Sequence, residues 1–334
     1  MGFVTAMYAL LVFCVLIMVH ELGHFFAAKL TGVQVNELSL GMGPKLFEHQ
    51  GKETLYTLRL LPIGGFCAME GEDEESENER AFNNKPAISK ALIIVAGAVM
   101  NVLLAVVILS AIAGYTGIAS TELDSVTEGK PAYQAGIRPG DEILEVNGEK
   151  VSFFLNVRRQ IQSSEDTVDL VVKRGDHKIY ATIPVEVSED GNRIIGITAS
   201  VTKNPLTALH YGAVATVDMG KSMIGFIAQL FTGQSSVNEL TGPVGIVSAI
   251  GQQAKHGFIY VANLAALISL NLGIMNMLPL PALDGGRLLF IIINGITGKA
   301  VSEELEGKIH MAGMLLLFGL MAYVLLQDVG RLMG

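Results

Sequence analysis

The sequence predicts a polytopic α-helical membrane protein of about four transmembrane helices, interrupted by a membrane-associated β-element and by an inserted α+β domain. Half of the 334 residues are hydrophobic and only 16% are charged, which is typical of membrane proteins. Long apolar stretches recur along the chain, and a helix needs about 20 apolar residues to cross a bilayer. The longer intervals between these stretches are polar and rich in turn residues.

Residues 1–30 are predicted to form transmembrane helix 1. The apolar run begins at Phe3, and the polar sequence HELGH interrupts it at residues 20–24. A secretory signal has a basic head before a short apolar core, whereas the first basic residue here is Lys29. We therefore expect this segment to be retained as a span.

Residues 31–86 are predicted to form a β-element on the cytoplasmic side of the membrane, followed by an acidic linker. Residues 57–60 alternate with the period of a strand, and turn residues occur at 41–44 and 62–65. Open backbone edges at membrane depth need cover from protein or water, so we expect this element to border a functional cavity. The acidic run at residues 70–77 is expected to be solvated and mobile.

The remaining spans are predicted from two further regions. Residues 87–116 are expected to form transmembrane helix 2, and residues 258–334 are expected to contain transmembrane helices 3 and 4, around apolar stretches at about 258–281 and 311–326. Residues 203–257 are predicted to be an amphipathic helical region. It can lie at the membrane interface or act as a strut, and the sequence does not choose between them.

Basic residues near the span ends predict the orientation, because Lys and Arg are retained on the cytoplasmic side. One set of ends has Lys255 and Arg331 nearby. The other set has more basic residues, namely Lys29, Lys85, Lys90, Arg287, Lys299 and Lys308. We therefore expect a multi-pass cell-membrane protein with both termini and the inserted domain outside the cytoplasm. The net charge of −9 argues against nucleic acid as a partner.

Residues 117–202 are predicted to form the inserted domain. Pro139-Gly140 suits a type II turn, Asn147-Gly148 suits a type I′ hairpin, and residues 168–175 suit a strand. The run from 135 to 148 resembles the PDZ family, whose domains capture extended peptides by adding a strand to a sheet edge. The alternative is a β-rich spacer with ordinary turns.

The HELGH sequence is an HExxH motif, which is typical of zinc proteases. Helical spacing places His20 and His24 one turn apart on one face, where they can share a metal ion, and it offsets Glu21 toward a metal-bound water. Ionisable side chains inside a membrane helix are costly, so they predict a functional site. The alternative is a pair of histidines that form hydrogen bonds inside a helix bundle.

A hydrolytic zinc site normally has three protein ligands, so a third is needed. The candidate is Asp284, since a lone carboxylate at the end of an apolar span would be costly. Pro279 and Pro281 break the preceding helix, and Gly285-Gly286 permits close backbone approach. The alternative is a helix N-cap, which capping preferences alone would favour. The HExxH motif elsewhere in the chain favours the ligand.

These features together resemble the site-2 protease family, and in particular its bacterial branch, whose members cut anti-sigma factors and remnant signal peptides. They are the HExxH motif in the first span, the PDZ-like insert and the NxxPxPxLDGG run at residues 276–286. The resemblance implies a zinc metalloendopeptidase of the bacterial plasma membrane, with Zn²⁺ held near the cytoplasmic face by His20, His24 and Asp284. It also implies Glu21 as the catalytic base and a β-element at residues 58–69 that holds the substrate extended.

The sequence departs from this family pattern at two points. The best-known Gram-negative members have two PDZ domains, whereas this chain has room for one. Residues 97–101 keep the glycine and asparagine of the family's GPxxN sequence but lack its proline. The first departure concerns substrate gating and the second a local helix kink.

Four further residues are predicted to bind the substrate: Leu58, Leu60, Asn271 and Asn276. The two leucines belong to the β-element. The two asparagines lie in an apolar span, where buried amides need partners, so they can contact the substrate backbone or steady the tetrahedral intermediate. The alternative for the asparagines is hydrogen bonding between helices.

The expected partners are a single-span transmembrane protein as substrate and the membrane lipid. An upstream site-1 protease is expected to shorten the same substrate first, and the PDZ-like domain then filters substrates by size or docks a new C-terminus. A non-catalytic membrane scaffold is disfavoured because all proposed ligands and the base are intact. A metal transporter is disfavoured because the second and fourth apolar stretches offer little polar lining beyond Asn101.

Overall fold

The computed structural model of the chain describes residues 2–72, 74, 76–188, 190–235, 241–297 and 303–333. The chain divides into two compact units, Met1–Leu109 with Val214–Gly334, and Ser110–Ala213. Lys299, two acidic residues of the predicted linker and residues 236–240 of the predicted amphipathic region lie outside the described residues. The two units are described separately below.

The first unit is mainly helical. In chain order the helices are α1 (Phe3–Leu30), α2 (Ala87–Thr116), α5 (Pro205–Thr232), α6 (Pro243–His256), α7 (Phe258–Asn276), α8 (Asp284–Thr297) and α9 (Glu303–Met333). Helices α2 and α5 continue into the second unit. The apolar spans Phe3–Leu30, Ala87–Thr116, Phe258–Asn276 and Leu305–Asp328 are each long and apolar enough to cross a membrane. The four predicted spans are therefore found as helices.

The third span ends just before the two prolines that were predicted to break it. The apolar stretch continues to about residue 281, but α7 ends at Asn276. Pro279 and Pro281 lack the backbone N–H that an α-helix uses, so the apolar residues between them belong to a loop. That loop leads directly into Asp284, the first residue of α8.

Helix α1 packs closely against α2 at Gly23. A Cβ atom at this position would lie 2.7 Å from the backbone carbon of Ala96, so only glycine permits this approach. Farther toward its N-terminus, α1 buries Val12 and Leu16 against α6 and α7, where Ile250 and Val261 are also buried. The first helix is therefore enclosed by other helices along the face that carries the HExxH motif.

The predicted β-element is an antiparallel pair of long, bent strands, β1 (Val35–Gln50) and β2 (Leu55–Met69). The first part of β1, residues 37–40, pairs with residues 55–58 of β2 and also with residues 65–68. Residues 65–69 thus lie at the edge of this sheet. Gly41, Gly43 and Gly64 have positive φ at the bends, as the turn sequences predicted.

The start of the acidic run is tied to this sheet. The carboxylate of Glu70 accepts hydrogen bonds from Asn36 Nδ2 at 2.8 Å and from Ser76 Oγ at 2.6 Å. The prediction of a solvated linker does not fit Glu70, because its carboxylate holds the loop against β1.

The second unit is an α+β domain. Its helices are α3 (Pro131–Gln134) and α4 (Phe154–Ser163). Its strands are β3 (Ile118–Val126), β4 (Glu142–Val146), β5 (Glu149–Lys150), β6 (Thr167–Arg174), β7 (His177–Pro184), β8 (Glu186–Val187), β9 (Arg193–Ile194) and β10 (Ile197–Thr202). The main sheet has the order β10-β3-β4-β6-β7, with antiparallel neighbours, and β5 pairs with β4. Buried side chains from the sheet and α4 form its core.

Two predicted turns of this domain have the backbone that their types require. Gly140 has φ 83°, and Asn147 and Gly148 have φ 49° and 80°. A type II turn needs positive φ at its third position, and a type I′ turn needs it at both central positions. The first and last strands are neighbours, since Ile118 pairs with Thr202. The domain therefore begins and ends at one place.

Candidate metal centre

The metal-binding atoms predicted on α1 meet at one point. His20 and His24 are buried, and their Nε2 atoms are 3.2 Å apart. The helical spacing of four residues places both rings on one face. Two unprotonated nitrogens at this distance repel each other unless a cation lies between them, so the pair is suited to hold a metal ion.

Asp284 faces both histidines. Its Oδ2 atom is 3.3 Å from His20 Nε2 and 3.4 Å from His24 Nε2. Helix α8 begins at Asp284 itself, whereas an N-cap residue precedes the first helical residue, so the helix starts earlier than the capping alternative required. The carboxylate points at the histidines, and its buried Oδ2 forms no hydrogen bond of good geometry with any described residue.

The donor set fits zinc. Bonds of about 2.1 Å at tetrahedral angles separate ligand atoms by about 3.4 Å, and the three separations here are 3.2, 3.3 and 3.4 Å. Two imidazole nitrogens with one carboxylate oxygen form a usual catalytic zinc set with room for a water. A bound ion would also give the buried Asp284 Oδ2 the partner that it lacks.

Glycines allow the loop to deliver Asp284. A Cβ at Gly285 would lie 2.5 Å from the backbone carbon of Met277, and one at Gly286 would lie 2.9 Å from that of Leu280. Real side chains do not tolerate such contacts with backbone. The Gly285-Gly286 pair is thus needed for the return of the chain past the end of α7, as the sequence predicted.

Helix α2 orients both histidine rings. His24 Nδ1 is 2.9 Å from the carbonyl oxygen of Ile93, which accepts its proton and leaves Nε2 free for a metal. Asn101 is fully buried with its amide 3.3 Å from His20 Nδ1. The nitrogen and oxygen of an amide side chain occupy the same space and can be exchanged, and Asn101 Oδ1 otherwise has no hydrogen-bond partner among the described residues. With its oxygen toward His20, Asn101 accepts the Nδ1 proton and frees Nε2 as well.

The glycine that precedes Asn101 by one turn is required for close packing. A Cβ at Gly97 would lie 2.7 Å from His24 Cε1 and 2.8 Å from His20 Cε1. The sequence alone related Gly97 and Asn101 to a family pattern but did not predict their contacts with the histidines. A polar residue one helical turn after a glycine in an apolar span was the available signal.

Glu21 lies between the metal site and the edge of the sheet. The N–H of Cys67 donates a hydrogen bond to its carboxylate, and Glu21 Cγ approaches Gly65 closely. Burial raises the pKa of the Cys67 thiol to about 12, and the nearby charge of Glu21 adds to this effect. Among the described residues, the side chains whose ligand atoms meet are those of His20, His24 and Asp284, and Cys67 is not one of them.

A cavity of about 350 Å³ joins these groups. Its lining includes the three proposed ligands, Glu21 and the edge segment 65–69 of β2, together with Glu72 and Arg287. Arg287 forms an ion pair with Glu72. In the sequence, Arg287 contributed only to the predicted orientation, but it lies one helical turn after Asp284 and therefore on the same face of α8.

The four predicted substrate-binding residues are distributed differently. Asn276 Nδ2 lies 3.2 Å from His20 Nε2, at the metal site. Asn271 is exposed on another face of α7. Leu58 and Leu60 are 44% and 53% exposed and do not line the cavity described above. The part of the β-element that borders the metal site is residues 65–69.

The loop before Asp284 is also held by α9. The Ala282 N–H donates a hydrogen bond of 2.9 Å to His310 Nδ1, and Ala282 has the unusual φ of 71°. A Cβ at Gly313 would lie 2.9 Å from the backbone carbon of Pro281. His310 has no ligand spacing to another histidine in the sequence, and it contacts the loop that carries Asp284.

One family and two named relatives are similar to this chain over nearly its whole length, and one solved structure is similar to a quarter of it. Residues 8–320 match the family described as peptidase family M50. A Clostridium acetobutylicum protein provisionally named a zinc metalloprotease is 37% identical over 98% of each chain. The regulator of sigma-W protease RasP of Bacillus subtilis is 32% identical over 98% of this chain and 99% of that one. The PDZ domain of an SdrC-like protein from Listeria monocytogenes is 29% identical, with a TM-score of 0.22, over 25% of this chain and 86% of that one.

Proposed function

The chain belongs to peptidase family M50, and from this premise we propose that it cleaves a single-span membrane protein inside the bilayer. Its family and its similarity to named zinc metalloproteases identify it as a zinc metalloprotease. The proposed ligands are His20, His24 and Asp284, and the proposed base is Glu21. The proposed substrates are of the anti-sigma-factor or remnant-signal-peptide type.

One observation carries this proposal: the three ligand atoms, Glu21 and an open strand edge share one cavity. The histidines belong to an apolar helix of 28 residues. A protease that places its metal site within such a helix acts on peptide bonds at membrane depth. Those bonds are normally shielded by helical hydrogen bonds.

Each group at the site has a separate role in the proposed hydrolysis of the peptide bond. Zinc, when bound, polarises the scissile carbonyl and lowers the pKa of the attacking water. Glu21, held by the Cys67 N–H, accepts a proton from that water and passes it to the leaving amine. The Asn276 amide, 3.2 Å from His20 Nε2, is placed to donate a hydrogen bond to the carbonyl oxygen as negative charge develops there.

The edge segment 65–69 is proposed to hold the substrate. A substrate helix that unwinds loses its own backbone hydrogen bonds, and pairing with a strand at the edge of a sheet replaces them. The predicted roles of Leu58 and Leu60 then become indirect, because residues 58 and 60 belong to the interior and bend of β2 rather than to its edge at the site. For Asn271 the role in substrate binding stays a prediction.

The cellular setting is proposed on the same basis. The chain is placed in the bacterial plasma membrane with both termini and the PDZ-like domain outside, and with the metal near the cytoplasmic face. An upstream site-1 protease first shortens the substrate, and the PDZ-like domain screens the product by size or by its new C-terminus. The sigma-W regulator among the relatives supports a membrane-bound regulatory substrate.

The test is cleavage of a tagged single-span substrate without its outer domain, by wild-type protein, Glu21→Gln and His24→Ala in the same membranes. We expect a shortened fragment from the wild type alone, and its loss on addition of a zinc chelator. Zinc content should persist in Glu21→Gln and fall in His24→Ala, because only the second residue is a proposed ligand. Equal fragments from wild type and Glu21→Gln would refute the proposal.

A further inference from the structure

The backbone donors at the edge of the sheet already have partners. Successive residues of a strand point their N–H groups to opposite sides, and the Glu70 N–H points to the β1 side, where it donates to the oxygen of Gln34, just before β1, at 2.9 Å. The N–H groups of Cys67 and Met69 therefore point away from β1. Cys67 donates to the catalytic Glu21, and Met69 donates to Glu72 Oε2 over 3.4 Å.

Glu72 uses its other oxygen to bind Arg287. The Glu72 Oε1 atom forms an ion pair and hydrogen bond with the Arg287 guanidinium. The Glu72 side chain is only 15% exposed and that of Arg287 37%. One carboxylate thus bridges the strand edge and α8, on the lining of the cavity that contains the metal ligands.

This place lies on the path of a paired substrate. If the paired part of the substrate, as proposed above, extends to Met69, one of its carbonyl groups takes the Met69 N–H and displaces Glu72. Arg287 then loses this one of its partners while it remains on the lining of the cavity. A half-buried cation is stabilised by a replacement anion, and the planar guanidinium binds a carboxylate through two parallel hydrogen bonds.

We propose that Arg287 is a carboxylate-binding subsite of the protease, occupied by the chain's own Glu72 in the unloaded enzyme and by a carboxylate of the substrate or product during turnover. This inference rests on the proposed function. The carboxylate has two sources: an Asp or Glu side chain near the scissile bond, or the α-carboxylate that hydrolysis creates when water adds across the peptide bond. Either one is recognised by the same guanidinium.

The subsite can be tested by measuring peptide binding to a variant that lacks the proposed catalytic base and therefore does not cleave the peptide. The full-length, zinc-loaded Glu21→Gln protein in detergent is titrated with N-terminally labelled apolar octapeptides, read by fluorescence anisotropy. One pair of peptides ends in a free carboxylate or in an amide. A second pair, amidated at the C-terminus, has a central Asp or Asn. Each pair is repeated with Arg287→Gln added.

We expect the carboxylate member of at least one pair to bind about tenfold more tightly, because hydrogen bonds to a charged group are stronger than those to a neutral group. Arg287→Gln should abolish that preference. A preference confined to the first pair identifies the product carboxylate, and one confined to the second identifies an acidic side chain. Glu72→Gln should strengthen binding of the preferred peptide severalfold, because it weakens the internal competitor.

Matched variants separate this subsite from general charge effects. Glu70→Gln removes a carboxylate from the same loop, where it contacts Asn36 and Ser76 and not the cavity. Arg80→Gln removes a guanidinium that pairs with Glu53. Neither should change the carboxylate preference.

Two outcomes overturn the proposal. One is equal binding of both members in both pairs. The other is a preference that survives Arg287→Gln, which would assign the carboxylate to the metal ion. Cleavage of the membrane substrate is a separate measurement. If no membrane protein is cleaved but the Arg287-dependent preference is found, the proposed function fails and the subsite stands.

Discussion

At the scale of single residues, the metal site depends on the ring nitrogens that face away from the metal. Ile93 O fixes one histidine and Asn101 the other, and both partners come from α2. A histidine binds zinc through a lone pair, so the proton must be held on the opposite nitrogen. The Asn101 amide is the group that does this for His20.

We predict that Asn101→Leu lowers zinc affinity by about 10–100-fold, which is typical when an outer partner of a metal-bound histidine is lost. Competition with a chromogenic zinc chelator on the purified protein measures this. Asn101→Asp should retain most of the affinity, because a carboxylate oxygen accepts the same proton.

Ser269→Ala is the matched control for that prediction. Its hydroxyl donates to the backbone carbonyl of Asn101 at 2.8 Å and is fully buried, but it does not reach a histidine. Unchanged zinc affinity in Asn101→Leu, or an equal loss in Ser269→Ala, would mean that Asn101 serves packing alone.

At the scale of elements, the last helix sets the position of the third proposed ligand. His310 and Gly313 of α9 hold the loop at residues 281–282, two residues before Asp284. Nδ1 of His310 accepts the Ala282 N–H, which requires the proton of the neutral ring to be on Nε2. Asp284 therefore depends on packing between α9 and a loop with a left-handed residue.

We predict that His310→Leu and Gly313→Ala each lower zinc affinity by about tenfold, by analogy with other residues that position a ligand. The leucine removes the acceptor of the Ala282 N–H. The alanine forces its Cβ against the backbone of Pro281, which would have to move.

Gly319→Ala is the control on the same helix, since a Cβ there meets nothing within 4 Å. His310→Gln should lose less affinity than His310→Leu because its amide oxygen can accept the bond. A loss in all four variants would indicate a general effect of α9 on stability and not a position-specific effect on Asp284.

Features that depend on one element were predictable from the sequence, and features that depend on the pairing of distant segments were not. The spans were predictable because apolar length alone specifies them, and the His20–His24 pairing followed from helical spacing. The edge at residues 65–69 was not predictable, because it results from β1 pairing with two parts of β2. No local sequence pattern encodes this pairing of one strand with two parts of another. The strand-like alternation in the sequence pointed to Leu58 and Leu60 instead.

The Glu72–Arg287 pair was hidden for a related reason. Glu72 belongs to an acidic run whose composition indicates a solvated linker, while Arg287 lies in a distant helix. Their contact depends on where the end of β2 meets α8. The position of Asp284 beside the histidines was predictable, because two sequence motifs and the number of protein ligands that zinc takes were enough to indicate it.

At the scale of the whole molecule, the α+β domain is inserted at a single point. Its first and last strands are neighbours, with Ile118 paired to Thr202. Such an insert can be removed and the chain rejoined by a short linker, because paired Cα atoms lie only about 5 Å apart.

We predict that replacing residues 118–202 by a short Gly-Ser linker preserves zinc binding and cleavage of the shortened substrate, since the cavity residues belong to the first unit. If the domain filters substrates, this variant should also cleave the full-length substrate that the wild type rejects. Parallel cleavage assays on the two substrates measure both effects. Continued rejection of the full-length substrate would exclude the filter.

The ligand set has a further consequence for the cohesion of the molecule. His20 and His24 belong to the first helix, whereas Asp284 begins a helix in the last sixth of the chain. An ion held by all three is a cross-link that closes most of the polypeptide into a loop, and such closures stabilise the folded state by restricting the unfolded one. The same three bonds that activate water would therefore also fasten the two ends of the chain. Loss of the ion would therefore lower the stability of the folded protein as well as abolish its activity.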